Sequence, residues 1–294
     1  MIKEQVANKM VVKNVSITVL LEDTKNSAKP KLQAKHGLSF CINATVNDKN
    51  VKVLMDTGPS PDVLLNNVEQ LNVNLEDADV VVLSHGHYDH TGGLIVALKQ
   101  IKKRVPVIGH PTLFDPKFSM MPHLRSIGAP FRRSDVEFVG GVPLLVTGSV
   151  KIADGITTTG EVPRTTSFEA VRGFWTVPDK SLVDDIVIDD QSLIVNVEGK
   201  GLVVIAGCAH AGIINTINYA KKITGNSKVH AVLGGFHLIS ADDKKIQTTV
   251  DELEKLDLKF VGPCHCTGKK AVKKMCETFG DRCRVLCTGD IVEL

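Results

Sequence analysis

The segment Ser84-His85-Gly86-His87-Tyr88-Asp89-His90-Thr91-Gly92-Gly93 places three imidazoles and a carboxylate within six positions. Imidazole nitrogen and carboxylate oxygen are the ligands of Zn²⁺ and similar divalent transition metals. Spacing restricts how they are used. On a helix His85 and His87 would diverge by about 200° and could not share an ion. In an irregular turn freed by Gly86 both point one way, while Asp89 and His90 reach a neighbouring position. The segment therefore predicts two adjacent metal sites.

Three further histidines close apolar runs, in Gly207-Cys208-Ala209-His210-Ala211-Gly212, Gly234-Gly235-Phe236-His237 and Pro263-Cys264-His265-Cys266-Thr267-Gly268. Ligands of α/β proteins bind beyond the carboxyl ends of strands, so these histidines are expected to converge on one pocket. His265 is the expected ligand. Side chains alternate in extended backbone, which would turn Cys264 and Cys266 away from it as packing thiols. His210 is a further candidate ligand, with Cys208 on the same face as an alternative. His237 is placed at the rim, either binding substrate or buried and hydrogen-bonded. Asp56 lies between a strand and a helix in Met55-Asp56-Thr57-Gly58. It either caps the turn, orients a ligand imidazole, or with Asp89 orients the attacking water and takes its proton. His36, His110, His123 and His230 have no comparable setting.

The elements that must carry these residues alternate in type. Val15 to Thr24 and Ser39 to Asn47 read as strands, and a turn over Asn47-Asp48-Lys49-Asn50 leads to a strand from Val51 to Met55. Pro61 opens a helix, Asp79 to Leu83 forms a short apolar run typical of a strand buried on both faces, and a second helix follows Gly93. From Val136 to Val197 the pattern is strand-like. A strand ending at Ala206, a helix near Ile213 to Ile223, a strand from Val229 to Leu233 and a helix bearing Ile246, Val250, Leu253 and Leu256 follow in order. Lys259 to Val261 and Val285 to Val292 are the last expected strands. His110 to Arg133, with Met120, Met121 and Pro122, reads as a lid or substrate-facing insertion. The sequence thus predicts an α/β domain over residues 1–294, two β-rich halves with helices outside.

Composition narrows the function. Over 294 residues, 35 Lys+Arg oppose 33 Asp+Glu for a net charge of +2, and 43% of residues are hydrophobic. That balance describes a soluble globular chain without the clustered basic excess that wraps nucleic acid or coats an anionic membrane. The expected partner is a small molecule. The 7 cysteines are odd in number and irregularly spaced, which points to free or metal-linked thiols and a cytoplasmic location. There is no GxSxG elbow and no GxxxxGKS loop, removing two common routes to hydrolysis.

Taken together, His85-Gly86-His87-Tyr88-Asp89-His90, preceded by Asp56 and followed by His265, resembles the metallo-β-lactamase superfamily. The resemblance implies a four-layer αβ/βα sandwich with a metal centre at one edge of its sheets, usually of two ions. His85 and His87 would serve the first metal, and Asp89, His90 and His265 the second, with zinc expected and manganese or iron as alternatives. Gly160-Glu161-Val162-Pro163-Arg164, with the three histidine segments above, looks like the narrower branch of dihydropterin ribofuranosylaminobenzene phosphate synthases and related metal-dependent hydrolases. Two positions depart from the superfamily pattern. Glu161 stands where another histidine is expected, and Gly207-Cys208 replaces the usual Gly-Asp bridging carboxylate, leaving His210, Cys208 and Glu161 as candidate replacements. The activity implied is hydrolysis of a small ester or phosphoester by a hydroxide formed on the metals. One alternative is a transferase that joins a dihydropterin-methyl diphosphate to an aryl ribofuranosyl phosphate, with Arg164 as a candidate phosphate clamp. Another is a non-enzymatic metal-binding module.

Overall fold

The computed structural model describes residues 12–120 and 122–294, which leaves Met121 of the expected insertion outside the described residues. Ten strands run in hydrogen-bonded order: Phe260–Cys264, Val229–Gly235, Gly201–Ala206, Ser192–Val197, Val12–Leu21, Ser39–Val46, Lys49–Met55, Val80–Val82, Val105–Gly109 and Gly141–Leu145. The N-terminal and C-terminal halves of this path meet at one parallel pair, Val12 with Val197. Each half carries helices on its outer surface.

Side-chain alternation along the strands builds the layers. Val80 and Val82 face inward with Ile17, Phe40, Leu193, Val203 and Leu233, forming the apolar seam between the two halves. Val81 faces outward and packs with Leu20 and Leu54 against Leu64 of the Pro61–Gln70 helix and Leu94 and Leu98 of the Leu94–Ile101 helix. In the other half, Leu202, Val204 and Val232 point outward onto Ile217, Val250 and Met275 of the helices Ile213–Thr224, Asp243–Glu254 and Lys269–Phe279. Three apolar seams therefore separate four layers, the αβ/βα sandwich that the motifs implied. Among the described residues no helix is long and apolar enough to cross a membrane.

Three elements differ from the sequence expectation. The first hairpin turns on two residues rather than four: Val46 pairs with Lys49, and Asn47 and Asp48 take φ of 48° and 61°. That mirror-image turn matches the right-handed twist of its strands. Val136 lies in the Arg133–Phe138 helix, whose N-cap backbone Arg132 N donates to Asp135 Oδ2 at 2.8 Å. Of the expected final strand only Ile291–Glu293 pairs, with Thr18, Ile17 and Ser16.

The insertion expected near residue 120 belongs to a separate four-stranded sheet. It contains Lys117–Ser119, Arg125–Ser126, Phe174–Thr176 and Val183–Asp184. Tyr88 N donates to Ile127 O at 2.8 Å, so the insertion is anchored on the histidine loop itself.

The helix Ile213–Thr224 is held at its N-terminus from a distant loop. Glu169, 3% exposed, accepts Ile214 N and Asn215 N at 2.8 Å each and Thr166 Oγ1 at 2.9 Å. Burial raises its carboxyl pKa against those bonds. Glu169→Ala leaves two buried amide donors unpaired and is expected to destabilise the fold by about 1–3 kcal/mol, read from urea unfolding midpoints at constant slope.

Candidate metal centre

The chain turns sharply where the strands deliver their side chains. Asp56, Ala209, His237 and His265 take φ of 56°, 49°, 45° and 49°. Each lies within three residues of the end of a strand. Such left-handed backbone costs a non-glycine residue on the order of 1 kcal/mol or more, and it concentrates where structure serves a site.

His85, His87 and His210 form one donor set. His85 Nε2 lies 2.9 Å from His87 Nδ1 and 3.3 Å from His210 Nε2. Ser84 Oγ gives its proton to Asp56 Oδ2 at 2.7 Å and so accepts from His85 Nδ1 at 2.9 Å. His85 Nε2 then has one lone pair facing two ring nitrogens. A single lone pair cannot satisfy both, whereas a cation between the rings takes a lone pair from each. Burial holds all three rings neutral: His87 is lowered to about 3, and His85 and His210 fall well below the usual histidine value with their neighbouring rings adding to the effect. Neutral imidazole is the form that binds metal.

Asp89, His90, His265 and Cys208 form the second set. His90 Nε2 is 3.2 Å from His265 Nε2 and 3.2 Å from Cys208 Sγ, and Asp89 Oδ2 is 3.5 Å from His265 Nε2. Both imidazoles are oriented from behind by carboxylates. His90 Nδ1 donates to Asp56 Oδ2 at 2.7 Å and His265 Nδ1 to Asp23 Oδ1 at 2.7 Å. This is the carboxylate–histidine arrangement that fixes tautomer and aims Nε2 at a metal. Burial pulls the His90 pKa down, yet Asp56 and Asp89 outweigh it and lift the ring to about 9, so the set as it stands demands positive charge. Cys208 Sγ also lies within 4.8 Å of donor atoms on both His85 and His90, between the two sets. The residues fit a metal on the chemistry of their donors.

A buried acid pair grips the two loops of the first set. Asp189 Oδ2 accepts Gly86 N at 2.7 Å, and Asp190 Oδ2 accepts Ala211 N at 2.9 Å. Burial pushes Asp190 up to about 7. Lys117, 2% exposed, answers Asp189 at 3.0 Å and Asp185 at 3.4 Å. Burial alone would lower its pKa, but the two carboxylates outweigh that and raise it. Gly86 is required for space rather than for a positive φ: a Cβ there would stand 2.3 Å from Leu113 O. Gly207 is similar, since a Cβ would meet Ser84 Oγ at 2.1 Å.

The structure brings together most of the residues the sequence singled out. His85, His87, Asp89, His90, His210 and His265 join the cluster with Cys208. Asp56, fully buried, accepts from Ser84 and from His90 Nδ1 and is absent from the cavity lining. His237 lines the cavity, its ring 4.1 Å from that of His210. Glu161 faces His110 at 3.6 Å, outside the cavity lining, whereas His210 stands with His85 and His87. Arg164 is also absent from that lining; its guanidinium donates to the carbonyls of Ile186 and Val187, which corrects its reading as a phosphate clamp. Cys266 is a second correction. A short 3-10 turn over His265–Thr267 breaks the expected alternation, so Cys264 enters the core while Cys266 joins the cavity wall.

Four contributors escaped the sequence reading. Asp23 accepts His265 at 2.7 Å and His36 at 2.9 Å; burial alone would raise its pKa, but these bonds outweigh it and hold it low. His36 Nε2 reaches Asp89 Oδ2 at 3.3 Å. Lys117 and Asp189 sit in segments without a strand-end motif, so nothing in their local spacing marks them.

Residues 42–221 match the sequence model of the metallo-beta-lactamase superfamily. The 7,8-dihydropterin-6-methyl-4-(beta-D-ribofuranosyl)-aminobenzene-5'-phosphate synthase of Methanocaldococcus jannaschii is 35% identical over 96% of this chain and 97% of its own. The solved structure of Tm1679, a metal-dependent hydrolase of the beta-lactamase superfamily, superposes with a TM-score of 0.79 at 29% identity, covering 95% of this chain and 99% of that one. The metallo-beta-lactamase fold protein YhfI from Bacillus subtilis shares the fold, with a TM-score of 0.54 at 13% identity over 96% of this chain and 99% of its own. The chain belongs to the metallo-beta-lactamase superfamily, whose members depend on metal.

His210→Ala is expected to lose metal from the first set while Glu161→Ala keeps the wild-type content, measured by elemental analysis of purified protein. Equal content in both variants would remove His210 from the set. Lys117→Met leaves Asp189 buried without its cation and is expected to weaken metal binding by about tenfold or more, read by competition with a chromophoric chelator.

Proposed function

We propose that this protein is an enzyme with a dinuclear centre, most naturally of zinc, that cleaves a small ester or phosphoester. The observation that carries the reading is that two oriented donor sets share the floor of one cavity of about 520 Å³, lined by His87, Asp89, His210 and His265. A closed metal-binding module would not leave its ligands on a substrate-sized space. His85, His87 and His210 would hold one ion; Asp89, His90 and His265 would hold the other. Cys208, near donors of both sets, would be a further ligand where the usual superfamily pattern has a carboxylate.

Bound divalent ions supply Lewis acidity and a water acidified toward a pKa of ~7. The chain's own part is to position and exclude. Asp56 and Asp23 hold the His90 and His265 rings with Nε2 forward. Phe174 covers the first set, its ring 5.0 Å from His87 and 5.3 Å from His210, and keeps bulk solvent from that side. His237 lines the cavity beside His210 and would meet a substrate oxygen or leaving group there. Asp89, at the cavity wall, is the carboxylate placed to orient the attacking water.

A second reading is supported by the identity with the methanopterin-type synthase along nearly the whole chain. There the bond broken joins a pterin methyl carbon to a diphosphate oxygen. The acceptor's aryl carbon or amine forms the new bond in place of water, the diphosphate departs with the bonding pair, and the proton lost from that carbon or nitrogen passes to solvent. Both readings call for a small-molecule substrate, and the second for a phosphorylated, pterin-like one.

Incubating the metal-loaded protein with a dihydropterin-methyl diphosphate, with and without an aryl ribofuranosyl phosphate, separates them by product mass. Turnover without acceptor supports hydrolysis; a joined product formed only with acceptor supports the synthase. His87→Ala is expected to lower either rate by at least about a hundredfold, since it removes a ligand. Chelation of the wild type should do the same, and an unchanged rate after verified metal removal would overturn the proposal.

A further inference from the structure

We propose that Arg125 and Arg172 form an anion subsite on the open side of the cavity, one that holds a phosphate group of the substrate away from the metal centre. This inference rests on the reading of that cavity as the substrate site and adds to it where a second, non-reacting anion sits.

The small four-stranded sheet supplies the first argument. Phe174 pairs with Ser119, and Ser119 pairs with Arg125. Cross-strand partners in an antiparallel sheet project on the same face. Phe174, Ser119 and Arg125 therefore form a row across three strands, and all three line the cavity. Arg172, two residues before Phe174, lines it as well. One sheet thus presents an aromatic ring over the histidines and guanidinium groups further out.

Charge supplies the second argument. Both arginines are exposed, whereas His87, His210 and His265 are only 5%, 2% and 7% exposed. Arg133, on a neighbouring helix, is paired with Glu137 at 2.8 Å. Arg164 donates to two main-chain carbonyls. Among the described residues neither Arg125 nor Arg172 makes an ion pair or a hydrogen bond, although both stand at a cavity wall. Among the described residues Asp89, which stands with the second donor set, is the one carboxylate lining this cavity. Two unpaired guanidinium forks facing one space suit a dianionic oxyanion, with several oxygens to accept their donors.

Shape supplies the third. Beyond Arg172, His237 and Ser240 lies a depression of about 330 Å³ lined also by Lys245, whose ammonium donates to Ala170 O at 3.2 Å, and by Asp242, which caps the Asp243–Glu254 helix by accepting Lys245 N. Ile127 and Ile239 join Phe174 as apolar lining between the two ends. A ligand that satisfies this surface is elongated: a reacting group at the metals, a flat or apolar body beside Phe174, and a phosphate at the arginines.

The test uses metal-loaded protein and phenyl phosphate as the probe, with affinity measured by isothermal titration calorimetry. Arg125→Gln and Arg172→Gln are each expected to weaken binding about tenfold and the double variant about a hundredfold, with metal content and melting temperature at wild-type values. Because both side chains are exposed and unpaired, the variants keep the fold. Affinity in the double variant equal to wild type would overturn the subsite, as would loss of binding only in the metal-poor His87→Ala protein, which would place the anion on the metals. Benzoate bound as tightly as phenyl phosphate would overturn the phosphate assignment. None of these results touches the proposed function, which fails separately if the wild-type protein holds no metal or turns over no ester.

Discussion

Several imidazoles press their unshared nitrogens toward common points inside the protein, and that crowding is what the rest of the structure exists to hold. Ring nitrogens of His87 and His210 stand 2.9 and 3.3 Å from His85 Nε2, and those of His90 and His265 are 3.2 Å apart. Brought together without a cation, such groups repel and lose their water at the same time. The arrangement persists because carboxylates bind each cluster from behind: Asp56 through Ser84 and His90, Asp23 through His265, and Asp189 and Asp190 through the main chain beside His85 and His210. These acids are themselves buried or part-buried, so they too need compensation, from Lys117 in one place and from amide donors elsewhere. A metal ion held by these donors would relieve that crowding, so affinity for the ion and stability of the loops would be coupled.

The sandwich makes that concentration possible. Parallel strands on the two sides of the inner seam end at the same edge of the molecule, and their loops emerge from opposite halves of the chain. Two close approaches keep the loops in contact. Gly207 leaves room for Ser84, and Gly86 for the Leu113 carbonyl, so neither position has space for a side chain. Rigid layers below and short turns above give fixed positions to donors that the sequence separates by as much as 180 residues, from His85 to His265.

The small sheet has a different part. It is attached to the histidine loop through Tyr88 and Ile127, places Phe174 against the rings of the first set, and adds Ser119 and Arg125 to the cavity wall. On the proposed function, chemistry would belong to the layered scaffold and part of the choice of substrate to this added element. Variation in the added sheet would change what is bound while leaving the donor sets intact.

The alternation of apolar strands and amphipathic helices, and the histidines at strand ends, were legible locally: Val80 to Val82, the Pro61 helix and the cluster from His85 to His90 each declare themselves within about ten residues. So did His210 and His265, because each follows an apolar run and a glycine- or proline-marked turn. What stayed hidden was every contribution that depends on a partner far along the chain. Asp23, His36, Lys117 and Asp189 have ordinary neighbours in sequence and acquire a role only when the layers bring them behind or beside a ring. Arg164 and Glu161 show the converse, since both look like site residues and the turn geometry spends them on a carbonyl pair and on His110. Sequence by itself determined which ligand types are present and which elements carry them, since both follow from composition and from periods of two and 3.6 residues. Only the tertiary structure decided which histidine completes the first set, which thiols face the cavity and which carboxylates hold the rings, because hydrogen bonds and shared ions depend on distances through space that local spacing does not contain.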